Sequence, residues 1–397
     1  MTANPLDGVK VLDLTRVLAG PLSTMLLGDL GADVIKIEQP GKGDDTRGWG
    51  PPFLNGESAY FMGLNRNKRS VTLNAQTAEG REILGRLLAD ADIVIDNFRL
   101  GTLERWGFDD TWFDEHAPQA VRCSITGYGS TGPKAGEPGY DFILQAETGL
   151  MSITGEEDGE PMKIGVALVD VCTGLLAAIS ATSGLAQRNL TGRGQRFEVN
   201  LHDTGLAMLV NVASNFLATG DAPRRYGNGH PNIVPYRTFR TSDGELAVAV
   251  GNDAQFAKLA DVVGHPEWAQ DPRFQRNAGR VENRELVDAM VNEALMAATR
   301  AHWTAELHAA GIPVGPINSV KEALTSPQTV GRGMVVDTEH PVTGALRLLG
   351  SPLRWGDSPA PVRYPPPLLG EHTEEVLGGL LGLDAERIAE LRTAGVI

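Results

Sequence analysis

The chain has 397 residues, 42% of them hydrophobic and 21% charged, enough apolar material for a large core spread over two or three domains. A net charge of −15 argues against a nucleic-acid partner, which would need a basic footprint to neutralise phosphates. Two cysteines, Cys123 and Cys172, build no disulfide framework, and eight dispersed histidines show no ligand spacing, so no metal site is expected. The start "MTANPLDGVKVLDLT" has no basic stretch leading into an apolar run, and no run of about 18 uninterrupted apolar residues follows. The expectation is a cytoplasmic protein with no membrane partner.

In chain order, "VKVLDL" (Val9–Leu14) reads as a buried strand. "PLSTMLLGDLG" then reads as a helix from Pro21 to Gly31, and "ADVIKIE" as a second strand. Pro at the helix start and Gly past its end mark a βαβ unit. A helix over Ala78–Asp90, the strand "ADIVIDNF", a short helix at Leu103–Trp106 and the strand "AVRCSIT" repeat the alternation. A long apolar helix runs from about Val171 to Gln187, and "QRFEVNL" alternates as a strand. This pattern predicts an α/β fold with a mostly parallel, doubly wound sheet. After about Leu217 the chain turns rich in Gly, Pro, Arg and Asn, then reads as a smaller α+β unit with helices at Asp253–Val263, Arg284–Ala297 and Arg300–Ala310. The tail brings the strand-like "GMVVDTE" and a helix near Thr373–Leu381. The expected division is 1–217, 218–330 and 331–397.

Several stretches carry chemistry. "TGYGSTGP" matches G-x-G-x-x-G after a strand, but Pro133, Gly136, Pro138 and Gly139 prevent the helix that a dinucleotide site needs, so a glycine-rich cleft loop is expected. Asn97, Phe98 and Arg99 stand at a strand's C-terminal end, where open α/β sheets bind ligands. Arg99 and Arg105 flank a short helix and are either phosphate partners or solvated charges. Arg66, Lys68 and Arg69 precede a strand and are open to the same two readings. His202–Asp203 lack a serine nucleophile, and Cys172 reads as a structural thiol. Asp170 is the one charged residue between Ile164 and Leu175. It reads as the N-cap of the apolar helix, accepting from the backbone of Cys172 or Thr173 and held ionised by the helix terminus. A fixed, desolvated carboxylate is also what covalent catalysis by aspartate requires.

Together "VKVLDLTRVLAGP", "LGADVIKIEQPGKGDDTR", "NRNKRSVTLN", "DIVIDNFRLGTLERWG", "GYGSTGP", "ALVDVCTG", "GNGHPNIVPYRTF" and "LLGEHTEEVL" resemble the family III CoA-transferases (CaiB/BaiF type, which includes formyl-CoA transferase) over nearly the whole chain. The resemblance implies a large Rossmann-like doubly wound domain formed by both termini, a smaller inserted α+β domain and an interlocked homodimer. It implies transfer of CoA from an acyl-CoA donor to a small carboxylic acid acceptor, with Asp170 as nucleophile. Mixed-anhydride and aspartyl-CoA thioester intermediates would form on it. CoA contacts carry over to Leu18, Ala19, Leu73, Asn97, Phe98, Arg99, Arg105, Pro138, Gly139, Tyr140 and Asp141. Gln39 stands where relatives often have an arginine.

Leu18 replaces the glutamine that formyl- and oxalyl-specific enzymes carry beside the substrate, so oxalate is disfavoured. Gly227 and Gly229 are candidates for a substrate-side loop. A dicarboxylate such as succinate is the expected acid, with Arg224, Arg225 and Arg237 as candidate carboxylate partners. The related 2-methylacyl-CoA racemases also resemble the chain, but where they place a catalytic histidine this sequence has Tyr140, a poor base at neutral pH. A CoA-binding protein without catalysis is the reading from another class. Intact Asp170 speaks against it.

Overall fold

The computed structural model describes residues 4–356 and 358–397. Six strands, β1 (Lys10–Leu14), β2 (Asp33–Glu38), β3 (Lys68–Thr72), β4 (Ile93–Asp96), β5 (Val121–Thr126) and β6 (Arg196–Asn200), form one sheet in the order β3-β2-β1-β4-β5-β6. All five pairings are parallel. This is the doubly wound α/β arrangement expected. The order reverses between β1 and β4, which opens a crevice at the carboxyl ends of those two strands.

The crossovers explain themselves locally. Helix α1 (Ala19–Asp29) has Pro21 in its first turn, where a missing N–H is harmless, and is buried along nearly its whole length. Helix α2 (Ala78–Asp90) is capped by Thr77, whose hydroxyl accepts from Gly80 N at 3.0 Å. Its apolar face joins Leu12, Ile35, Val71 and Val94 of the sheet in one core. Two C-terminal helices, Thr373–Leu381 and Ala385–Thr393, add Val376, Leu377 and Leu391 to that core. The second of these carries little apolar periodicity and escaped the sequence reading. Helices α3 (Asp141–Glu147), α4 (Leu168–Thr191) and α5 (Leu201–Ala207) follow the pattern on either side of β6.

Helix α4 begins and ends beyond the expected Val171–Gln187. By length and composition it alone, among the described residues, could cross a membrane. No such segment was expected, because the sequence was searched for uninterrupted apolar runs, and Asp170 interrupts this one. Its buried face (Val169, Thr173, Gly174, Ala177, Ala181, Leu185) lies within the fold. A Cβ on Gly174 would stand 2.6 Å from the Ala19 carbonyl oxygen, so this glycine lets α4 close on α1.

Contacts divide the chain into two units, one of residues 1–148, 164–208 and 327–397, the other of 149–163 and 209–326. Compared with the expected lines after 217 and 330, this division runs at Leu209 and Pro327. It also gives the second unit a short segment, 149–163, that carries no periodicity to mark it. "GMVVDTE" contributes Val335–His340 to a two-stranded antiparallel hairpin with Gly344–Leu349, apart from the main sheet. The second unit has a three-stranded antiparallel sheet (Tyr236–Thr241, Gly244–Ala249, Val314–Pro316) and helices at Asp253–Val262, Arg284–Leu295 and Arg300–Ala309. Phe239, Leu246, Phe256, Val291 and Trp303 lie in its core.

Candidate active site

The crevice between β1 and β4 is built on buried charge. Asp13, fully buried at the end of β1, accepts from Thr15 N and Oγ1, from Thr24 Oγ1 and from Lys68 Nζ at 3.0 Å. Lys68 Nζ also donates to Pro21 O and Asn65 Oδ1, and Lys36 Nζ donates to Thr15 O and pairs with Asp44 at 3.0 Å. Burial works to raise the Asp13 carboxyl, but Lys68, Lys36 and the two hydroxyls outweigh it and hold the group well below the usual carboxylate range. These contacts lock the turn after β1. In that turn Val17 takes φ +73°, a strained setting for a β-branched residue, while its N–H donates to Asp44 Oδ1.

The reading of Arg66, Lys68 and Arg69 as phosphate partners or solvated charges is therefore corrected. Arg66 pairs with Asp29, Lys68 with Asp13, and Arg69 with Asp33 and Glu375. Their partners are distant in sequence and all three serve the fold.

Across the switch point Asn97 bridges the two strand ends: its Oδ1 accepts from Arg16 N at 3.0 Å and its Nδ2 donates to Arg16 O at 2.7 Å. Beneath it, buried Asp96 accepts from Phe98 N and Ser124 Oγ, and burial pushes its carboxyl up to about 6. A cleft of about 1040 Å³ opens here, lined among others by Arg16, Leu18, Asn97, Arg99, Tyr140 and Asp170. Ala19, Phe98, Pro138 and Gly139 belong to the same wall. A neighbouring cavity of about 890 Å³ shares Arg16 and Phe98 and contains Gln39 and Leu73. Phe98 stacks edge-on against Trp106 at 5.2 Å, which stiffens this wall.

Of the expected CoA contacts, two are not on these linings. Arg105 is exposed and turned onto its own loop, donating to Thr102 Oγ1 at 2.7 Å and Leu100 O at 3.3 Å. Asp141 is 9% exposed and points into the protein. The glycine loop is a close crossing of two backbones: a Cβ on Gly127 would meet Gly139 N at 2.5 Å. No helix begins between it and Asp141.

Asp170 requires the largest correction. Helix α4 starts at Leu168, so Asp170 is a residue of its first turn; the N-cap is Ala167, which has no side chain able to cap. The capping carboxylate comes from Asp141, whose Oδ1 accepts from Val169 N at 2.8 Å and, more loosely, from Asp170 N at 3.4 Å. Among the described residues the Asp170 carboxylate has neither an ion pair nor a hydrogen bond. Burial and the nearby Asp141 charge push it up to about 7, the opposite of the ionised cap expected. Tyr60, which burial and the charges of Asp170, Asp141 and Asp44 raise above the usual phenol range, lies within electrostatic reach, with Trp49 packed edge-on against it at 5.2 Å. Sequence reading missed both aromatics because they sit in a Gly/Pro-rich segment outside the main sheet.

The remaining candidates stand elsewhere. Arg224 pairs with Glu157, Arg225 donates to three carbonyls of residues 152–159, and Arg237 pairs with Asp288, all within the second unit. Gly227 and Gly229 form a turn beside them. His202 faces Asp203 at 3.3 Å and tilts over Tyr128. Cys123 is buried and pushed up to about 12, an inert thiol. Among the described residues no group of His, Cys, Asp or Glu is arranged to hold a metal ion.

Residues 6–373 match the family described as CoA-transferase family III. The succinyl-CoA:glutarate CoA-transferase of Mus musculus is 43% identical over 393 residues, 99% of this chain and 90% of that protein. The succinate–glutarate CoA-transferase of Agrobacterium fabrum is 40% identical over 95% of this chain and 96% of that one. Among solved structures, a CaiB/BaiF family protein from Brucella suis superposes with a TM-score of 0.82 at 45% identity, covering 96% of this chain and all of its own.

Proposed function

The chain belongs to family III of the CoA-transferases, and on that premise we propose that it moves CoA between short dicarboxylic acids, with Asp170 as the residue that becomes acylated. The observation that carries this reading is the setting of Asp170: a carboxylate with no cation beside it, in the wall of a cleft at the switch point of the sheet, raised to about 7. A carboxylate of higher proton affinity is the stronger nucleophile once ionised, and partial desolvation leaves its lone pairs uncommitted.

In the proposed cycle Asp170 attacks the carbonyl of the donor acyl-CoA and expels the CoA thiolate, leaving a mixed anhydride. The thiolate attacks the Asp170 carbonyl of that anhydride, releasing the donor acid and leaving an aspartyl-CoA thioester. The acceptor carboxylate then attacks the thioester carbonyl and frees the thiolate again. In the last step the thiolate takes the acceptor's acyl group and restores the Asp170 carboxylate. No proton or oxidant is consumed. Arg99 is assigned to the CoA phosphates, Gln39 and Leu73 to the nucleoside end in the neighbouring cavity, and Leu18, Ala19 and Tyr140 to the acyl end.

Succinate and a five-carbon dicarboxylate such as glutarate are the proposed acids. They are the substrates named for the mouse and Agrobacterium relatives, and Leu18 offers an apolar isobutyl group rather than the amide an oxalate would need. Tyr140, in the same cleft lining as Asp170 where the racemases place a histidine, disfavours the racemase reading. The proposal extends to an interlocked homodimer; in its support, Leu175, Leu176 and Ile179 leave an apolar stripe on the outside of α4. Wild-type protein incubated with succinyl-CoA alone should acquire a hydroxylamine-sensitive adduct on the peptide carrying Asp170. D170N should form none and lose about four orders of magnitude in turnover, the scale of removing a covalent nucleophile. Full activity in D170N would overturn the reading.

A further inference from the structure

The helix that carries Asp170 has an unusual end. Asp170 is the acidic residue of its first turn, and Ala167 at the N-cap offers no side-chain acceptor. A helix N-terminus needs acceptors for its free N–H groups and favours negative charge. During the proposed cycle Asp170 is an anhydride and then a thioester, and in both forms its charge is gone. The turn would lose its own counter-charge at the moment its geometry matters most.

Asp141 is placed to prevent this. Its Oδ1 holds Val169 N at 2.8 Å, and its Oδ2 accepts from Gln145 Nε2 at 2.7 Å. Gln145, one turn further along α3, is fully buried; its Oε1 accepts from Ile164 N at 2.8 Å, and Nε2 reaches Val166 O at 3.4 Å. One glutamine thus ties together the capping carboxylate and the segment that leads into α4. Resting on the reading of Asp170 as the acylated residue, we infer that Asp141 and Gln145 are positioning residues. They form a cap on the nucleophile's helix that is not consumed in the reaction, and Asp141 is not a CoA contact.

The charge of Asp141 acts on Asp170 in a second way, since repulsion raises the energy of the ionised nucleophile. The cleft around Asp170 also presents Arg16, Asp45, Arg99, Glu137 and Tyr140, none of which holds its carboxylate or shifts it as Asp141 does. Tyr60 comes from the helical turn Ala59–Met62. Helix α1 brings Asp29, engaged by Arg66 at the far end. Helix α5 brings His202 and Asp203, which face each other. Asp141 is therefore the group whose neutralisation should move the acid limb of the rate profile.

The test compares D141N and Q145M with wild type, using succinyl-CoA as the probe. The readouts are single-turnover adduct formation on Asp170, acyl-CoA affinity and the pH dependence of adduct formation. Asn keeps an oxygen for Val169 N but not the charge. D141N should slow adduct formation about tenfold, leave acyl-CoA affinity within about twofold, and move the acid limb about one pH unit lower. Q145M should slow it by a similar factor with the limb in place, and it carries the test alone if D141N does not fold. A loss confined to acyl-CoA affinity, or wild-type rates in the variants, would overturn the cap. Absence of any adduct on Asp170 in wild type would instead remove the reading it rests on.

Discussion

Asp13 and Asp170 are both carboxylates withdrawn from water in the same unit, yet their surroundings are opposite. Asp13 is met by a lysine and three hydroxyl or amide donors and stays ionised well below the usual range. Asp170 has no donor among the described residues, lies near a second carboxylate and is raised to about 7. Under the proposed mechanism the difference separates a structural acid from a reactive one. A carboxylate whose lone pairs are all engaged holds a turn in place, and one left unengaged at real energetic expense is available for chemistry.

The comparison can be broken from the structural side first. Lys68→Met removes the cation and strands Asp13 in the interior, so it should destabilise the protein by about 3–5 kcal/mol, measured by denaturant unfolding. A loss near zero would mean the buried network does not hold the crevice.

From the reactive side the expectation reverses, and its sign follows from the shift. Because the folded Asp170 binds its proton more tightly than an exposed aspartate, whose usual value is 3.8, the folded state gains protons relative to the unfolded one between about pH 4 and 7. Asp170 should therefore weaken the free protein as pH rises through that window. D170N should be more stable than wild type at pH 8 by on the order of 2–4 kcal/mol, and nearly equal to it at pH 4. Equal stability of the two at pH 8 would contradict the raised carboxyl, and a less stable D170N would place Asp170 in the same class as Asp13. This departs from the cap reading, under which Asn would have changed little.

A smaller effect sharpens the division among the arginines. Arg99→Ala should weaken binding of every acyl-CoA by roughly 1.5–3 kcal/mol, as the loss of a charged hydrogen bond does. Arg105→Ala should weaken it by less, because its guanidinium is held by Thr102 and Leu100. Calorimetry with two acyl-CoAs of different acyl length checks both, and a loss that varies with the acyl group would move Arg99 to the substrate.

What sequence could reveal divides along the same line. The strands and the crevice at their ends were legible because each is written in contiguous residues, an apolar run and a strand followed by Asn97-Phe98-Arg99; Asp170 stood out as a lone charge in an apolar stretch, but its place inside the first helical turn did not. The cap was not, because Asp141 lies 28 residues from the N–H it holds. Nor were the roles of Arg66, Lys68 and Arg69, whose partners Asp29, Asp13 and Asp33 are contributed by other elements. Long-range pairing decides which charges are engaged, and spacing along the chain does not report it.

The central claim, that the unengaged carboxylate of Asp170 becomes covalently joined to the acids it serves, is tested most directly by following oxygen. Wild-type protein turning over succinyl-CoA with a dicarboxylate fully labelled with oxygen-18 in its carboxylates should carry label into the side chain of Asp170. The acceptor's attacking oxygen becomes the anhydride bridge and remains on the aspartate when the thiolate departs with the acyl group. Mass spectrometry of the peptide containing Asp170 should show that label rising with turnover. Sustained turnover with an unlabelled Asp170 would contradict the account.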